Sequence, residues 1–319
     1  MIDLKTDNLL INNEVHKSLE GILKSKAFSN GYIFYGPAGI GKKQTAIKFI
    51  KEIFEQSSSS SNIEEKIIEN NHPDFLLIEP TYYLKGNLIN RSEAEPSKNN
   101  KPTIRIDQIR NIKTFIAQTS IESGGKIILI DDAHLLNEAA SNCLLKTLEE
   151  PTNGLFILLT SKLNLLLDTV ISRCQLIRFQ SFSHKQLEIF IRNNLDSSIA
   201  TIDKELDLQY LINSANGSPG KILNDIKIWN ELPNDVKENL NFPMSDNLEI
   251  LRISQLISEE LNTDQQIFLI NLAQNQCWVK TKNKNIIKKL EDLKIHLRNF
   301  IQPRLAWEIT LLKIAIEDL

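Results

Sequence analysis

Residues 31–54 read GYIFYGPAGIGKKQTAIKFIKEIF and join an apolar run, a glycine-rich turn and an amphipathic stretch. The run Tyr32–Tyr35 predicts a buried β-strand, and Gly41–Phe54 predicts a helix. The turn between them has the pattern of a phosphate-binding loop, whose backbone N–H groups converge on an anion at a helix start. Because strand, turn and helix coincide, we favour this interpretation over a glycine-rich turn with an incidental lysine. The candidate nucleotide-binding residues of the loop are Gly36, Gly39, Gly41 and Lys42.

The residue after the loop lysine departs from the pattern. The pattern requires Ser or Thr there, since that hydroxyl coordinates the magnesium ion that bridges the β- and γ-phosphates. This chain has Lys43, and an ammonium group cannot ligate a cation. Thr45 lies two residues further along the helix and points to a different face. We therefore expect little or no nucleotide hydrolysis at this chain's own site.

A second candidate part of the same site is the run Ile127–Asp132, a buried apolar strand that ends in two carboxylates. Asp131 and Asp132 follow the strand where a P-loop ATPase supports magnesium and orients the attacking water. The water-orienting residue is usually a glutamate, and Asp132 is one methylene shorter. Capping of the next turn is an alternative role for Asp132. This second departure agrees with the expectation of weak hydrolysis.

The segment from Tyr32 to Phe179 alternates short apolar runs with amphipathic stretches, the pattern of βα units that feed a parallel sheet. The predicted strands are Tyr32–Tyr35, Phe75–Ile78, Lys126–Ile130, Leu155–Thr160 and Leu176–Phe179. The predicted helices are Gly41–Phe54, Asp107–Gln118, with Asp107 as its N-cap, and Asn137–Glu149. The fold class is therefore α/β, a P-loop domain with a parallel five-stranded sheet.

Two polar stretches interrupt this pattern. Gln56–Asn62 contains a serine run, and Leu84–Lys101 is rich in Asn, Ser, Lys and Glu. Both contain too few apolar residues to bury, so we predict mobile surface insertions.

The sequence after Phe179 loses the strand pattern, and its apolar residues follow helical spacing. Gly217–Gly220 interrupts that spacing, as does the stretch from Pro233 to Pro243. We predict three domains, namely an α/β domain (residues 1–181), a small helical lid (182–230) and an all-helical C-terminal domain (231–319).

Charge and cysteine content limit the functional classes. The 319 residues carry a formal net charge of -3, which argues against a free-standing nucleic-acid coat protein. Cys143, Cys174 and Cys277 are odd in number and far apart, so we expect neither a disulfide framework nor a zinc site. The basic run in residues 280–289 could contact DNA, but a solvated helix end is the commoner explanation, so we do not include the run among the candidate site residues. No apolar run is long enough to cross a bilayer, and the first ten residues lack a signal-peptide core, so we expect a cytoplasmic protein.

Five further motifs give this segment a resemblance to a known family. They are Asp131–His134 (DDAH), Asn142–Pro151 (NCLLKTLEEP), His72–Asp74, Ile104–Arg110 and Thr169–Cys174. In this order and spacing they resemble the signatures of the bacterial clamp-loader family of AAA+ proteins. The resemblance is dense in motifs from about residue 9 to residue 179 and is architectural beyond that, where the C-terminal helices resemble the family's oligomerisation collar.

The resemblance implies a subunit that does not hydrolyse nucleotide itself. The family's ATPases keep Ser or Thr at the position of Lys43 and place an arginine at that of Gly220. Many also carry a four-cysteine zinc module between the phosphate loop and the acidic strand. Residues 56–101, which occupy that position here, contain no cysteine. Lys221 is one position away from the expected arginine.

The resemblance also assigns roles to two polar residues. It implies that Arg173 is offered across a subunit interface to a neighbour's nucleotide as an arginine finger, although an ordinary surface arginine is the alternative. It places Thr160 at the polar position that contacts the γ-phosphate or its attacking water. Capping of the strand end is an equally open alternative role for Thr160.

The partners implied are the gamma or tau ATPase subunits and the delta subunit in a hetero-pentamer. The sliding clamp and primer-template DNA would be reached through that complex. Binding of ATP or ADP without turnover stays open, and neither zinc nor a membrane is expected. An active ATPase subunit of the same loader is one alternative, which hydrolysis by the isolated chain would indicate. A free-standing P-loop remodelling ATPase that forms its own ring is the other.

Overall fold

The computed structural model describes residues 12–57, 62–84, 87–90, 101–150, 154–194, 208–239, 242–244, 246–299 and 302–317. These residues form two compact units. The first unit comprises the described part of residues 1–196 together with Gly217–Gly220. The second comprises the described parts of residues 197–216 and 221–319. The three-domain division at residues 181/182 and 230/231 stays a prediction.

A five-stranded parallel sheet forms the centre of the first unit, as predicted. The strands in the described residues are β1 (Gly31–Tyr35), β2 (Phe75–Ile78), β3 (Thr81–Leu84), β4 (Asn87–Asn90), β5 (Lys126–Ile130), β6 (Gly154–Thr160) and β7 (Gln175–Arg178). The parallel sheet has the order β2-β5-β6-β1-β7. Its inner strands β5, β6 and β1 are buried along nearly their whole length, which explains their continuous apolar runs.

Fourteen α-helices surround or follow the sheet in the described part of the chain. They are α1 (Asn13–Ser25), α2 (Lys42–Ser57), α3 (Ile63–Ile68), α4 (Ile106–Ala117), α5 (Glu138–Glu149), α6 (Asp168–Ile171), α7 (His184–Asn194), α8 (Leu208–Ala215), α9 (Pro219–Glu231), α10 (Asn234–Glu238), α11 (Asn247–Glu260), α12 (Thr263–Thr281), α13 (Lys284–Arg298) and α14 (Pro303–Glu317). The three helices predicted between the strands are α2, α4 and α5. None of the helices traced in these ranges combines the length and the apolar character needed to cross a bilayer.

The core of the first unit lies on both faces of the sheet. On one face Ile33, Ile128 and Phe156 pack with buried residues of α4 and α5, including Leu144. On the other face the rings of Tyr32 and Phe34 lie 6.0 and 6.4 Å from the ring of Phe49 in α2. Successive side chains of β1 therefore enter opposite layers, as the two-residue repeat of a strand requires.

The N-terminus of α4 differs from the prediction. The helix begins at Ile106 and its N-cap is Arg105, so Asp107 is not the N-cap. The backbone N–H of Arg105 donates to Oε1 of Gln108 at 3.0 Å. A side chain of the first turn thus supplies the acceptor for the backbone N–H of the N-cap residue. Asp107 lies in that turn and pairs with Arg110 at 3.2 Å. The positive end of the helix dipole stabilises its negative charge there.

The stretch predicted as the insertion 84–101 contains ordered structure at its start. Strands β3 and β4 form an antiparallel hairpin in which Tyr82 pairs with Ile89 and Tyr83 with Leu88. The low apolar content averaged over the whole stretch hid this short β-pattern. Residues 85, 86 and 91–100 lie outside the described residues, as do residues 58–61 of the serine run.

The second unit is entirely helical in the residues described, as predicted. Helix α12 packs against α13, α11 packs against α14, and Trp307 of α14 is fully buried. Its indole Nε1–H donates to Oε1 of Gln266 at 3.0 Å, and Nε2 of Gln266 donates to the carbonyl of Leu261 at 2.8 Å. These bonds satisfy the polar atoms that would otherwise make this burial costly.

Candidate functional site

The glycine-rich loop connects the carboxyl end of β1 to the start of α2. Gly36, Gly39 and Gly41 have φ angles of 147°, 72° and 89°, a region that side chains rarely allow. At Gly36 a Cβ atom would lie 2.3 Å from the carbonyl oxygen of Phe179. The predicted loop glycines are therefore required by the backbone that the structure adopts.

Lys42 folds back onto its own loop. Its Nζ donates to the carbonyl oxygens of Gly36 at 2.8 Å and Pro37 at 2.6 Å. Burial lowers the pKa of Lys42, and the charges of Asp132 and Asp131 oppose this shift only in part. The ammonium thus stabilises the loop's shape from inside.

Lys43 joins two carboxylates at one end of the sheet. Its Nζ lies 2.5 Å from Oε1 of Glu79 and 3.1 Å from Oδ2 of Asp131. Burial alone would lower the pKa of Lys43, but the hydrogen bond that Lys43 donates to Glu79 and the charge of Asp131 outweigh it and raise the pKa. A charged ammonium therefore bridges the carboxyl ends of β2 and β5.

Glu79 is a site residue that sequence reasoning missed. It follows β2 directly, and β2 pairs with β5 so that Ile78 lies opposite Ile130. Residues that follow neighbouring parallel strands meet at one edge of the sheet, which places Glu79 beside Asp131. The signal in the sequence was an acidic residue directly after a strand. Such a residue can be assigned to the site only when the order of the strands in the sheet is known.

Asp131, Asp132 and Thr160 lie at the same edge. The backbone N–H of Asp131 donates to the carbonyl of Ile78 at 2.9 Å, and Asp132 has a left-handed backbone with φ 46°. The hydroxyl of Thr160 is buried, lies 3.3 Å from Nδ1 of His134 and accepts the N–H of Lys162 at 3.0 Å. Thr160 thus caps the strand end, one of the two roles that the sequence allowed.

Gly220, for which the resemblance implies an arginine in the family's ATPases, packs against the phosphate loop. Its N–H donates to the carbonyl of Gly39 at 2.8 Å, and an added Cβ would lie 2.8 Å from that oxygen and 2.9 Å from the Cα of Gly39. No side chain fits this contact without movement of backbone. Lys221, the next residue, donates from Nζ to the carbonyl of Ser214.

Arg173 is not brought together with the other predicted site residues. It precedes β7, whose first residue Gln175 pairs with Tyr32, whereas the loop follows Tyr35 at the other end of β1. Three residues of strand separate the two ends by about 10 Å. The guanidinium donates from NH1 to the carbonyl of Thr169 at 2.8 Å and from NH2 to Oε1 of Glu149 at 2.6 Å.

Cys174 next to Arg173 is a packing residue. Its Sγ contacts the position of Gly31, where an added Cβ would approach it to 2.8 Å. Burial raises the pKa of the Cys174 thiol to about 11, so it stays protonated and is a poor nucleophile at neutral pH.

The comparisons with known proteins agree with this fold. The family described as "DNA polymerase III, delta subunit" matches residues 11–183, more than half of the chain. A second family, "Cyanobacterial DNA polymerase III delta prime, C-terminal domain", matches residues 193–314.

Two curated relatives are DNA polymerase III subunits delta'. The one from Pseudomonas aeruginosa is 34% identical over 153 residues, 46% of this chain and 42% of that protein. The one from Bacillus subtilis is 31% identical over 181 residues, 54% of this chain and 49% of that protein. The chain thus matches less than half the length of these relatives.

A solved structure supports the fold. A DNA polymerase III gamma subunit-related protein from Thermotoga maritima superposes with a TM-score of 0.55 at 14% identity, covering 93% of this chain and 98% of that one. The parallel sheet, the helical C-terminal region and the matched sequence segments lead to one assignment. The chain belongs to the DNA polymerase III delta-subunit family, among the clamp-loader subunits.

Proposed function

We propose that this chain is a delta-prime-type subunit of the DNA polymerase III clamp loader, a cytoplasmic complex that places a sliding clamp on primer-template DNA. In this role it does not hydrolyse ATP itself but donates Arg173 to a neighbouring ATPase subunit. The single observation that carries the proposal is the bridge from Lys43 to Glu79 and Asp131.

The bridge argues against the metal that hydrolysis needs. Magnesium in a P-loop site takes near-ideal octahedral oxygen coordination that includes a loop hydroxyl and a carboxylate. Here the hydroxyl is replaced by Lys43, whose ammonium lies within 3.1 Å of Asp131 and neutralises it. The residues present do not fit a magnesium ion at this position.

Nucleotide binding is a separate matter from hydrolysis. Binding of ATP or ADP without turnover is compatible with the loop's backbone N–H groups, which need no metal to attract an anion. Such binding would compete with the bonds from Lys42 to Gly36 and Pro37. We propose that any nucleotide held here is held weakly.

The Lys43→Thr variant should acquire magnesium-dependent nucleotide binding. The change returns the missing hydroxyl and releases Glu79 and Asp131 from their ammonium partner. We expect a fluorescent ATP analogue to bind about tenfold more tightly with magnesium than with EDTA, as a new charged contact of roughly 1.4 kcal/mol would give. The wild-type chain should show almost no difference between the two conditions.

The control for this variant is Lys48→Thr, the same substitution at an exposed position on the same helix. It should behave like the wild type. Magnesium-dependent binding by the wild-type chain would show that Lys43 does not exclude the metal.

Arg173 supplies the active part of the proposed role. It lies at the opposite end of β1 from the chain's own loop, and this separation supports a role at another molecule's nucleotide rather than at its own. A fixed guanidinium charge of this kind stabilises the transferring phosphoryl group. The proposed recipients are the gamma or tau subunits, with delta completing a hetero-pentamer.

Three measurements on the purified chain test this role. The isolated chain should show no ATP hydrolysis above background, should not assemble into a ring by size exclusion, and should enter a complex when mixed with the ATPase subunits and delta. Hydrolysis by the isolated chain would indicate an active ATPase subunit instead. Assembly into a ring of identical copies would indicate a free-standing remodelling ATPase.

A further inference from the structure

We propose that Glu149 is a positioning residue for Arg173, holding its guanidinium ready for the nucleotide of the neighbouring subunit. The inference rests on the proposed trans role of Arg173 and adds a residue to it. Its basis is the 2.6 Å contact between Oε1 of Glu149 and NH2 of Arg173.

Both partners are fixed by the same piece of core. Leu148 precedes Glu149, Cys174 follows Arg173, and both pack against Gly31 at the start of β1. A Cβ atom at Gly31 would lie 3.6 Å from Cδ2 of Leu148 and 2.8 Å from Sγ of Cys174. The backbone segments that carry Glu149 and Arg173 are therefore held relative to each other by packing on Gly31.

The elements that carry the pair are themselves anchored. Helix α5 is capped by Asn137, whose side chain accepts the N–H of Ala140 at 2.8 Å, and Leu144 of this helix is fully buried. Helix α6 is anchored by Val170, which is 1% exposed. The backbone N–H of Arg173 donates to the carbonyl of Val170 at 3.2 Å.

The hydrogen bonds of Arg173 leave part of the guanidinium available. NH1 donates to the carbonyl of Thr169 and to the hydroxyl of Ser172, and NH2 donates to Glu149. A guanidinium has five N–H groups, and among the residues that the structure describes no other acceptor engages the remaining ones. Those groups can meet a phosphoryl oxygen while Glu149 holds the side chain.

The contact contributes to orientation more than to folding. The side chains of Arg173 and Glu149 are 37% and 47% exposed, and ion pairs this exposed add little to stability. A long arginine side chain loses much rotamer freedom when it engages a phosphoryl group, and a carboxylate that already orients it reduces that loss. The expected effect of Glu149 is therefore on the rate of the neighbour's reaction.

The chain offers a matched control in the next residue. Glu150 is also an exposed glutamate, but its carboxylate pairs with Nζ of Lys113 at 3.0 Å and not with Arg173. Removal of Glu150 takes away the same charge and a similar surface contact, without touching the guanidinium.

The experiment uses the reconstituted loader and follows steady-state ATP hydrolysis over a range of ATP concentrations in the presence of primed DNA. Glu149→Ala should lower kcat about three- to tenfold with little change in KM, as loss of orientation does. Glu149→Gln keeps the oxygen acceptor and should recover most of the rate. Glu150→Ala should match the wild type, and all variants are first checked for equal assembly by size exclusion.

A double variant distinguishes positioning from a general structural effect. In the Arg173→Ala background, Glu149→Ala should cause no further loss, because two residues that act through one contact are not additive. A rate unchanged by Glu149→Ala alone, or a full further loss in the Arg173→Ala background, would overturn the inference while leaving the role of Arg173 intact. A silent Arg173→Ala would overturn the proposed function and this inference with it.

Discussion

Replacement of Arg173 by alanine should slow ATP hydrolysis by the assembled clamp loader at least about tenfold. An arginine supplied in trans can contribute about 10³- to 10⁵-fold at the site that it serves, because its fixed charge meets the charge that develops on the transferring phosphoryl group. Only the site facing this chain loses its arginine, so a tenfold fall in the overall rate requires that the ATPase sites of the loader hydrolyse in a coupled sequence. Single-turnover hydrolysis with primed DNA measures the effect.

Two further substitutions sharpen this test. Arg173→Lys keeps the charge but loses the planar fork that also binds Thr169 and Glu149, so we expect it to restore little activity. Arg192→Ala removes an exposed arginine of α7 outside every motif and should leave the rate unchanged. If Arg173→Ala assembles normally and hydrolyses ATP at the wild-type rate, Arg173 is not an arginine finger.

The parallel sheet could be predicted because each strand carries its own signal. A strand covered on both faces must be apolar along its whole length, and Ile127–Ile130 and Leu155–Leu159 show this directly. All five predicted strands occur with bounds shifted by at most one residue. The phosphate loop could be predicted for a similar reason, since its backbone needs glycine at fixed places.

The partners across the sheet could not be predicted in the same way. Glu79 meets Lys43 only because β2 lies beside β5, and nothing local to residues 75–79 encodes that neighbour. Glu149 meets Arg173 across 24 positions of the chain, through packing on Gly31. Local patterns specify elements, whereas such pairs depend on how the elements are assembled.

Short elements were missed for a different reason. Helix α3 has only six residues, and its buried pair Ile63 and Ile67 forms a single helical repeat. The hairpin β3–β4 consists of two strands of four residues, and the second strand lies in the polar stretch. Patterns of this length do not stand out from composition, so the tertiary contacts determine whether they form.

Asp74, which the sequence offered only as part of a motif, is the centre of a buried polar cluster. Its carboxylate is fully buried and accepts backbone N–H groups from Ile121, Glu122 and Ser123 at 2.8–3.1 Å. The hydroxyls of Ser120 and Ser123 also donate to it, each at 2.9 Å. Asp74 thereby holds the turn that leads into β5.

The cluster includes a buried cation. The side chain of Lys126 is 4% exposed, and its Nζ lies 3.8 Å from Oδ1 of Asp74 and 4.1 Å from the ring centroid of Phe115. No hydrogen-bond acceptor reaches this Nζ within the described part of the chain. The charge of Asp74 and the face of the ring are therefore its main compensation.

Asp74→Asn should lower the free energy of unfolding by about 3–5 kcal/mol, the usual cost of removing one partner of a buried ion pair. The amide keeps the shape of the carboxylate but turns an NH₂ group toward N–H donors and leaves Lys126 without its anion. Urea unfolding followed by far-UV circular dichroism measures the change. The tryptophans Trp229, Trp278 and Trp307 all lie in the second unit, so their fluorescence reports that unit separately.

The control for this variant is Asp107→Asn, which removes an aspartate whose side chain is 74% exposed. Its effect should stay within about 0.5 kcal/mol, as is usual for surface positions. Equal stabilities of Asp74→Asn and the wild type would show that the cluster does not stabilise the fold.

The pH dependence of this difference identifies its cause. Burial alone would raise the pKa of Asp74, but the N–H groups of Ile121, Glu122 and Ser123 and the hydroxyl of Ser120 outweigh it and hold the pKa well below its usual value. A depressed pKa in the folded state gives stability that is fully present above the unfolded pKa of about 3.9 and is lost as the pH falls below it. The stability gap between wild type and Asp74→Asn should therefore stay constant from about pH 8 to pH 5 and narrow below about pH 4. A gap that persisted unchanged in acid would mean that the shape of the side chain, and not its charge, supports the turn into β5.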